Sequence, residues 1–139
     1  MAENKNADYI LVPTAPGELI DKLTILRLKE ERIADPAKVA NVVIEKTALM
    51  ETADAQVPPS AELDALWEDL YQINADLWVI EDDIRECEKA KDFGEEFIRL
   101  ARAVYITNDR RADVKKKINL LLGSALVEEK SYADHGVET

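Results

Sequence analysis

Cysteine and histidine are nearly missing from this sequence: Cys87 and His135 are the only examples of each. One thiol cannot close an intrachain disulfide, which fits a reducing, cytoplasmic setting. One histidine near the C-terminus leaves little material for a His-based metal site or a Ser-His-Asp triad. Glycine and proline are scarce, four and five in 139 residues, and strand-rich folds need more turn residues than that. Basic residues fall short of acidic ones, 18 Lys and Arg against 29 Asp and Glu, for a net charge of −11. A duplex-DNA or anionic-membrane binder normally carries a basic surplus, so neither nucleic acid nor a membrane is expected as a partner. No apolar run approaches the roughly 20 residues that span a bilayer. Residues 1–8 are polar and lack the apolar core of a signal peptide. Glycine-rich phosphate loops and zinc-type Cys/His spacings are missing as well.

What is present is core-forming material. Hydrophobic residues make up 47% of the chain, enough for one globular domain. The expected organisation is a flexible N-terminal tail (1–8), a single helical domain (9–123) and a polar C-terminal tail (124–139), with room for a helical turn near Leu126–Lys130. Tyr9 to Val12 is short, apolar and β-prone, an edge strand or an extended arm closed by Pro13. Four helices follow. The first opens at Pro16 with Glu18 in its first turn and runs to about Ile33. Asp35-Pro36 caps a second, to about Ala53, whose face is Val39, Val42, Val43, Leu49 and Met50 around Lys46. Gln56-Val57-Pro58-Pro59 is the clearest break in the chain.

Ser60 caps the third helix, which runs to about Ala90. Leu63, Leu70, Leu77 and Ile84 form one heptad row, and Leu66, Ile73, Ile80 and Cys87 the other. A second stripe holds Trp67, Tyr71, Asn74, Trp78, Glu81 and Arg85. Two stripes predict a central helix with neighbours on two sides, or a seam left over for a second copy of the chain, hence a homodimer. Asp92 and Glu95 match an acidic capping box for the fourth helix, which Gly123 stops. The expected fold is an all-α antiparallel four-helix bundle with two long C-terminal helices.

Sites in bundles are built from polar side chains where periodicity demands apolar ones. On the fourth helix the expected core rows are 97, 104, 111, 118 and 101, 108, 115, 122. Asn108, Arg111 and Lys115 interrupt them, with Tyr105 and Asn119 alongside. Buried charges need partners, and Glu81, Asp82, Asp83, Asp21, Thr24, Arg27 and Arg32 are available. Two readings follow. The groups satisfy one another as a network that fixes helix register, or Arg111 and Lys115 face an anionic ligand that Asn108 also binds. The candidate ligand-binding set is Asn108, Arg111, Lys115, Asp21, Arg32, Glu81 and Arg110.

A separate cluster, Glu81, Asp82, Asp83 and Glu86, with Glu88 nearby, has one-turn spacings that could hold Mg²⁺ or Mn²⁺ through carboxylate oxygens. Helical nucleotide hydrolases use two such groups on neighbouring helices, and Glu68 and Asp69 fit that spacing badly. A solvated acidic face is the simpler reading, so no cofactor is expected. Cys87 lies in a core row and reads as a small hydrophobe.

Pro16-Gly-Glu-Leu-Ile-Asp-Lys-Leu-Thr-Ile-Leu26, Leu77-Trp-Val-Ile-Glu-Asp-Asp-Ile-Arg85, Tyr105-Ile-Thr-Asn-Asp-Arg-Arg-Ala112 and Glu128-Glu-Lys-Ser-Tyr132 together resemble an all-helical bacterial family known as a domain of unknown function. The likeness covers about residues 10 to 133. It implies no activity. Some members accompany glycosyltransferase or helical-repeat segments, which points toward a sugar context. It marks Asp21, Lys22, Glu81, Asp82, Arg85, Asn108, Asp109, Arg110, Lys115 and Lys130. Ala15 stands where the family pattern suggests a capping Ser. A weaker similarity, in Leu19-Ile20-Asp21 and the run ending Lys29-Glu-Glu-Arg32, is to helical chorismate mutases, which bind a dicarboxylate with Arg and Lys. The arginine expected before Ile20-Asp21 is replaced by Gly17 and Glu18, so no catalytic residue carries over.

The sequence therefore points to a non-catalytic module that binds a small anionic ligand or a protein partner. The alternatives are a metal-dependent nucleotide hydrolase, a mutase-like enzyme, or a structural module with a satisfied polar core. Whether it is an enzyme is left open by the motifs, which favour binding.

Overall fold

A computed structural model describes residues 9–126 and residue 129. Four helices account for most of them: α1 (Pro16–Arg32), α2 (Pro36–Gln56), α3 (Ala61–Ala90) and α4 (Glu95–Leu121). There is no strand among the described residues. The all-α bundle follows from the patterning, and most helix ends lie where local chemistry puts them. Asp35 accepts from the Ala37 N–H at 3.0 Å, and Ser60 accepts from the Leu63 N–H at 3.1 Å. α3 stops with Lys91 in the left-handed region at φ 55°, and Gly123 takes φ 67° just past α4.

Two features differ from expectation. The capping box at the start of α4 does not form. The Asp92 carboxylate bonds the Gly94 N–H instead, at 3.1 Å, and Gly94 is the N-cap. The Asp92 N–H that Glu95 would have capped is already bonded to the Cys87 carbonyl at 2.9 Å, closing α3. Tyr9 to Val12 forms no strand, and its four side chains are exposed. The expectations for residues 1–8, for Lys130, for His135 and for a helical turn and the Glu128–Tyr132 motif fall wholly or partly outside the described residues.

The centre of the bundle is α1, not α3. α1 packs against α2, α3 and α4, whereas α2 packs closely against α1 alone. α1 therefore buries residues most of the way round: Ile20, Leu23, Leu26 and Leu28 with the polar Asp21 and Thr24. The main core joins Ile20 of α1, Leu63, Leu70 and Ile73 of α3, and Val114 and Ile118 of α4, with Trp67 packed on it. Both stripes of α3 are used inside the chain, one against α4 and the other against α1. The second stripe of α3 is thus met by α1.

The face of α4 also turns by about one position. Its buried residues are Leu100, Thr107, Val114, Ile118 and Asn119. Of the expected rows only Ile118 is buried, and Phe97, Val104, Arg111, Ala101, Asn108, Lys115 and Leu122 are half-buried. The deep row 100/107/114 is a heptad too, but Thr107 disguises it. Phe97 packs its ring edge-to-face on Phe93, centroids 5.2 Å apart, at the α3–α4 turn.

The weak cap at Ala15 has a tertiary solution. Ala15 makes no side-chain cap bond, but the Asn119 side chain on α4 accepts from the Gly17 N–H at 2.7 Å. An orphan donor of the first turn is thus satisfied from 102 residues away. The close approach requires glycine, because a Cβ on residue 17 would lie 2.6 Å from the Lys115 carbonyl oxygen and 2.9 Å from Asn119 Oδ1. Gly17→Ala should therefore cost about 1–3 kcal/mol by forcing α1 from α4, and Asn119→Ala about 1 kcal/mol through the lost cap. Urea denaturation midpoints check both, and an unchanged midpoint for Gly17→Ala would show that the two helices do not meet this closely.

Candidate functional site

The polar residues of the core converge on Asp21, whose side chain is 6% exposed. Arg111 of α4 grips it with two parallel bonds, Nε to Oδ1 at 2.9 Å and Nη2 to Oδ2 at 2.6 Å. Such a fork is the strong geometry for a guanidinium on a carboxylate. Asn74 of α3 donates from Nδ2 to Asp21 Oδ1 and to Thr24 Oγ1, both at 2.9 Å. Thr24 in turn donates to the Asp21 carbonyl at 2.7 Å. Arg111 Nη1 reaches Asn108 Oδ1 at 3.3 Å. One carboxylate on α1 thus ties α3 and α4 to it. Arg111 is paired with Asp21, and Glu81 faces Arg85.

Lys115 is one turn farther along α4 and belongs to a different contact. Its Nζ lies 2.7 Å from Glu18 Oε2, in the first turn of α1, and its side chain is 14% exposed. Glu18 there gains from both the lysine and the positive end of the helix.

Beside the network lies a cleft of about 430 Å³. α3 contributes a stripe one turn apart, Trp78, Glu81, Asp82 and Arg85, together with Leu77 and Asn74. α4 contributes Asn108 and Arg111, and α1 contributes Ile25 and Leu28. The floor is apolar and the rim carries both signs of charge, the usual composition of a small-molecule pocket. Arg85 faces Glu81 at 3.6 Å in an i,i+4 pair, with the arginine side chain 72% exposed. That pair is weak and easily exchanged for a ligand.

Of the expected ligand residues, Asn108, Arg111 and Glu81 line this cleft, with Asp21 directly behind Arg111. Lys115, Arg32 and Arg110 do not line it. Arg32 is exposed, its guanidinium 5.9 Å from the Trp78 ring. Arg110 is exposed on α4. The residues that sequence reasoning left out of the ligand set are Trp78, Arg85 and Asn74. All three stood on the second stripe of α3, and only the packing of α1 shows that this stripe borders a cleft.

The proposed metal ligands are not brought together. Among the described residues no three Asp, Glu, His or Cys side chains form a group that could hold a metal ion. Glu81 faces Arg85, Glu86 faces Lys89 at 3.7 Å, and Asp83 points along exposed helix surface with Asp82 on a different stripe. Residues 82 and 83 differ by about 100° around a helix, so the run diverges. Loss of hydration raises the Cys87 thiol above its ordinary 9.0, and the nearby Asp92, Glu96 and Asp83 add to that effect. A thiol held protonated is a poor nucleophile.

At the α1–α3 edge Tyr71 donates to Glu31 at 2.5 Å, and the Arg27 guanidinium sits 3.6 Å from the Tyr71 ring centroid. The bond from Tyr71 holds Glu31 below its ordinary 4.5, with Arg27 and Arg32 assisting against a smaller loss of hydration. The same bond raises Tyr71 above its ordinary 10.0.

Comparison of the chain with protein-family models, with curated proteins and with solved structures gives no match.

Two outcomes are expected. Arg111→Met should cost about 3–5 kcal/mol in chemical denaturation, because it strands Asp21 without its cation. The double variant Asp21→Leu/Arg111→Met should recover part of that loss, and a double variant worse than the sum of the singles would show that no stranded charge was relieved. At the helix edge, stability from the Tyr71–Glu31 bond is present above the ordinary carboxylate value and fades as pH falls through the depressed Glu31 midpoint. It also fades at high pH, as Tyr71 ionises through its raised midpoint. Tyr71→Phe should return the Glu31 midpoint toward 4.5 in an NMR titration, and an unmoved midpoint would remove this bond as the cause.

Proposed function

We propose that this protein is a non-catalytic binding module whose small-molecule ligand carries an acidic group and sits in the cleft between α1, α3 and α4. The observation that carries the reading is the convergence of Arg85, Arg111 and Asn108 from two helices on one concave, apolar-floored surface of about 430 Å³. Arg85 is the accessible cation, since its surface pair with Glu81 contributes little and can open. Arg111 spends Nε and Nη2 on Asp21 and Nη1 on Asn108, so it walls the cleft and is not the anchoring charge. Asn108 accepts from Arg111 through Oδ1, which leaves its amide nitrogen for a ligand oxygen.

The anchor thus moves from Arg111 with Lys115 to Arg85 with Asn108. The fixed Asp21–Arg111 pair gives the cleft a rigid back wall, a condition for binding without reorganisation. A purely structural role accounts for that pair and for the buried Leu28 and Leu77; the exposed Arg85 beside them is what favours binding.

A thermal-shift screen tests the reading with purified protein against inorganic phosphate, dicarboxylates, amino acids and nucleotide sugars. A ligand at a hundredfold excess over its Kd adds about 2.7 kcal/mol, a rise on the order of 5–10 °C for a domain of this size. The expected result is a rise with at least one acid-bearing compound, lost in Arg85→Gln and kept in Lys115→Met. Silence across the panel, or a response lost in Lys115→Met and kept in Arg85→Gln, would sink it.

A further inference from the structure

The charge balance around the cleft narrows the ligand class. The rim holds two guanidinium groups, Arg85 and Arg111, and two carboxylates, Glu81 and Asp82. Arg111 is already neutralised by Asp21 behind it. Arg85 faces Glu81 at 3.6 Å. Asp82 remains, and among the described residues it has no cationic partner within salt-bridge distance. With these pairs counted, the cleft carries one uncompensated negative charge. A ligand that brings only negative charge must approach Arg85 while facing Glu81 and Asp82, and like charges at that range oppose binding.

We infer that the ligand is a zwitterion with an apolar body, of the α-amino-acid type; this rests on the reading of the cleft as a binding site. Its carboxylate would displace Glu81 from Arg85 and take the Asn108 amide. Its ammonium would sit between Asp82 and the released Glu81, so each ligand charge meets an opposite charge and the net charge of the rim stays as it was. Asp82 and Arg85 stand three residues apart on one face of α3, roughly 5–6 Å between Cβ atoms. Hydrogen bonds from the two ends of an amino acid span that distance. The apolar side chain would lie on Ile25 and Trp78, which are half-buried and line the same cleft. The cleft volume of about 430 Å³ admits one such molecule with a bulky side chain.

Calorimetric titration with three matched probes tests this: L-phenylalanine, 3-phenylpropionate, which lacks the ammonium, and phenethylamine, which lacks the carboxylate. The expected result is binding of L-phenylalanine, weakened at least about tenfold in both analogues. Asp82→Asn should abolish the advantage of L-phenylalanine over 3-phenylpropionate, and Arg85→Gln its advantage over phenethylamine. Both positions are exposed on α3, so circular dichroism should show both variants folded. Equal binding of 3-phenylpropionate, or unchanged discrimination in Asp82→Asn, overturns the zwitterion class. Failure of all three probes also overturns it, and a phosphate or dicarboxylate response sensitive to Arg85→Gln then shows that the acid-binding reading survives alone.

Discussion

Asp21 is a carboxylate in the middle of a helix that is surrounded on three sides, and everything near it is arranged around that fact. A buried carboxylate is tolerable only when its lone pairs are filled. Here Arg111 fills two positions from α4 and Asn74 a third from α3. Each of those bonds demands a particular rotation and height of its helix. Sliding α4 by one residue would turn Arg111 away by about 100° and leave the carboxylate unpaired. The apolar core joining Ile20, Ile73 and Ile118 supplies attraction without direction; the Asp21 network supplies direction.

The same constraint explains why the shortest helix is the hub. α1 is only 17 residues long, yet it meets every other helix, and α2 rests on it alone. Its N-terminus is held by contacts from α4: Asn119 caps Gly17 and Lys115 pairs with Glu18. Farther along, Lys22 and Glu30 reach across to Glu45 and Lys46 of α2, at 3.1 and 2.6 Å. α1 is therefore fixed at its start by α4, at its middle by Asp21 and along its outer edge by α2.

Function follows from how the charges are spent. Arg111 and Lys115 look equivalent as cations interrupting a helix face, but each has a carboxylate of α1 within 3 Å. They hold the bundle together. On the neighbouring stripe of α3 the Arg85–Glu81 pair is looser and more exposed, at 3.6 Å. Residue type alone does not separate these cations, because a guanidinium in a buried pair and one in an exposed pair look alike until their partners are known.

The helices, their order and most of their ends were legible in the residues, because caps, prolines and heptad spacing act within a few positions of the chain. Asp35, Ser60 and Gly123 each stop or start a helix by local bonds or local backbone freedom. So was the presence of a polar set on α4 that needed partners. What local chemistry could not decide was which partner each group takes. The face of α4 turned by about one position because α4 divides its surface between α3 and α1. The cap of α1 came from Asn119, far along the chain, and the second stripe of α3 met α1. Periodicity states that a face will be buried, through an energy that depends on area and hardly on identity. Pairing charges and choosing which helix covers which face depends on where distant segments lie in space, and only packing sets that.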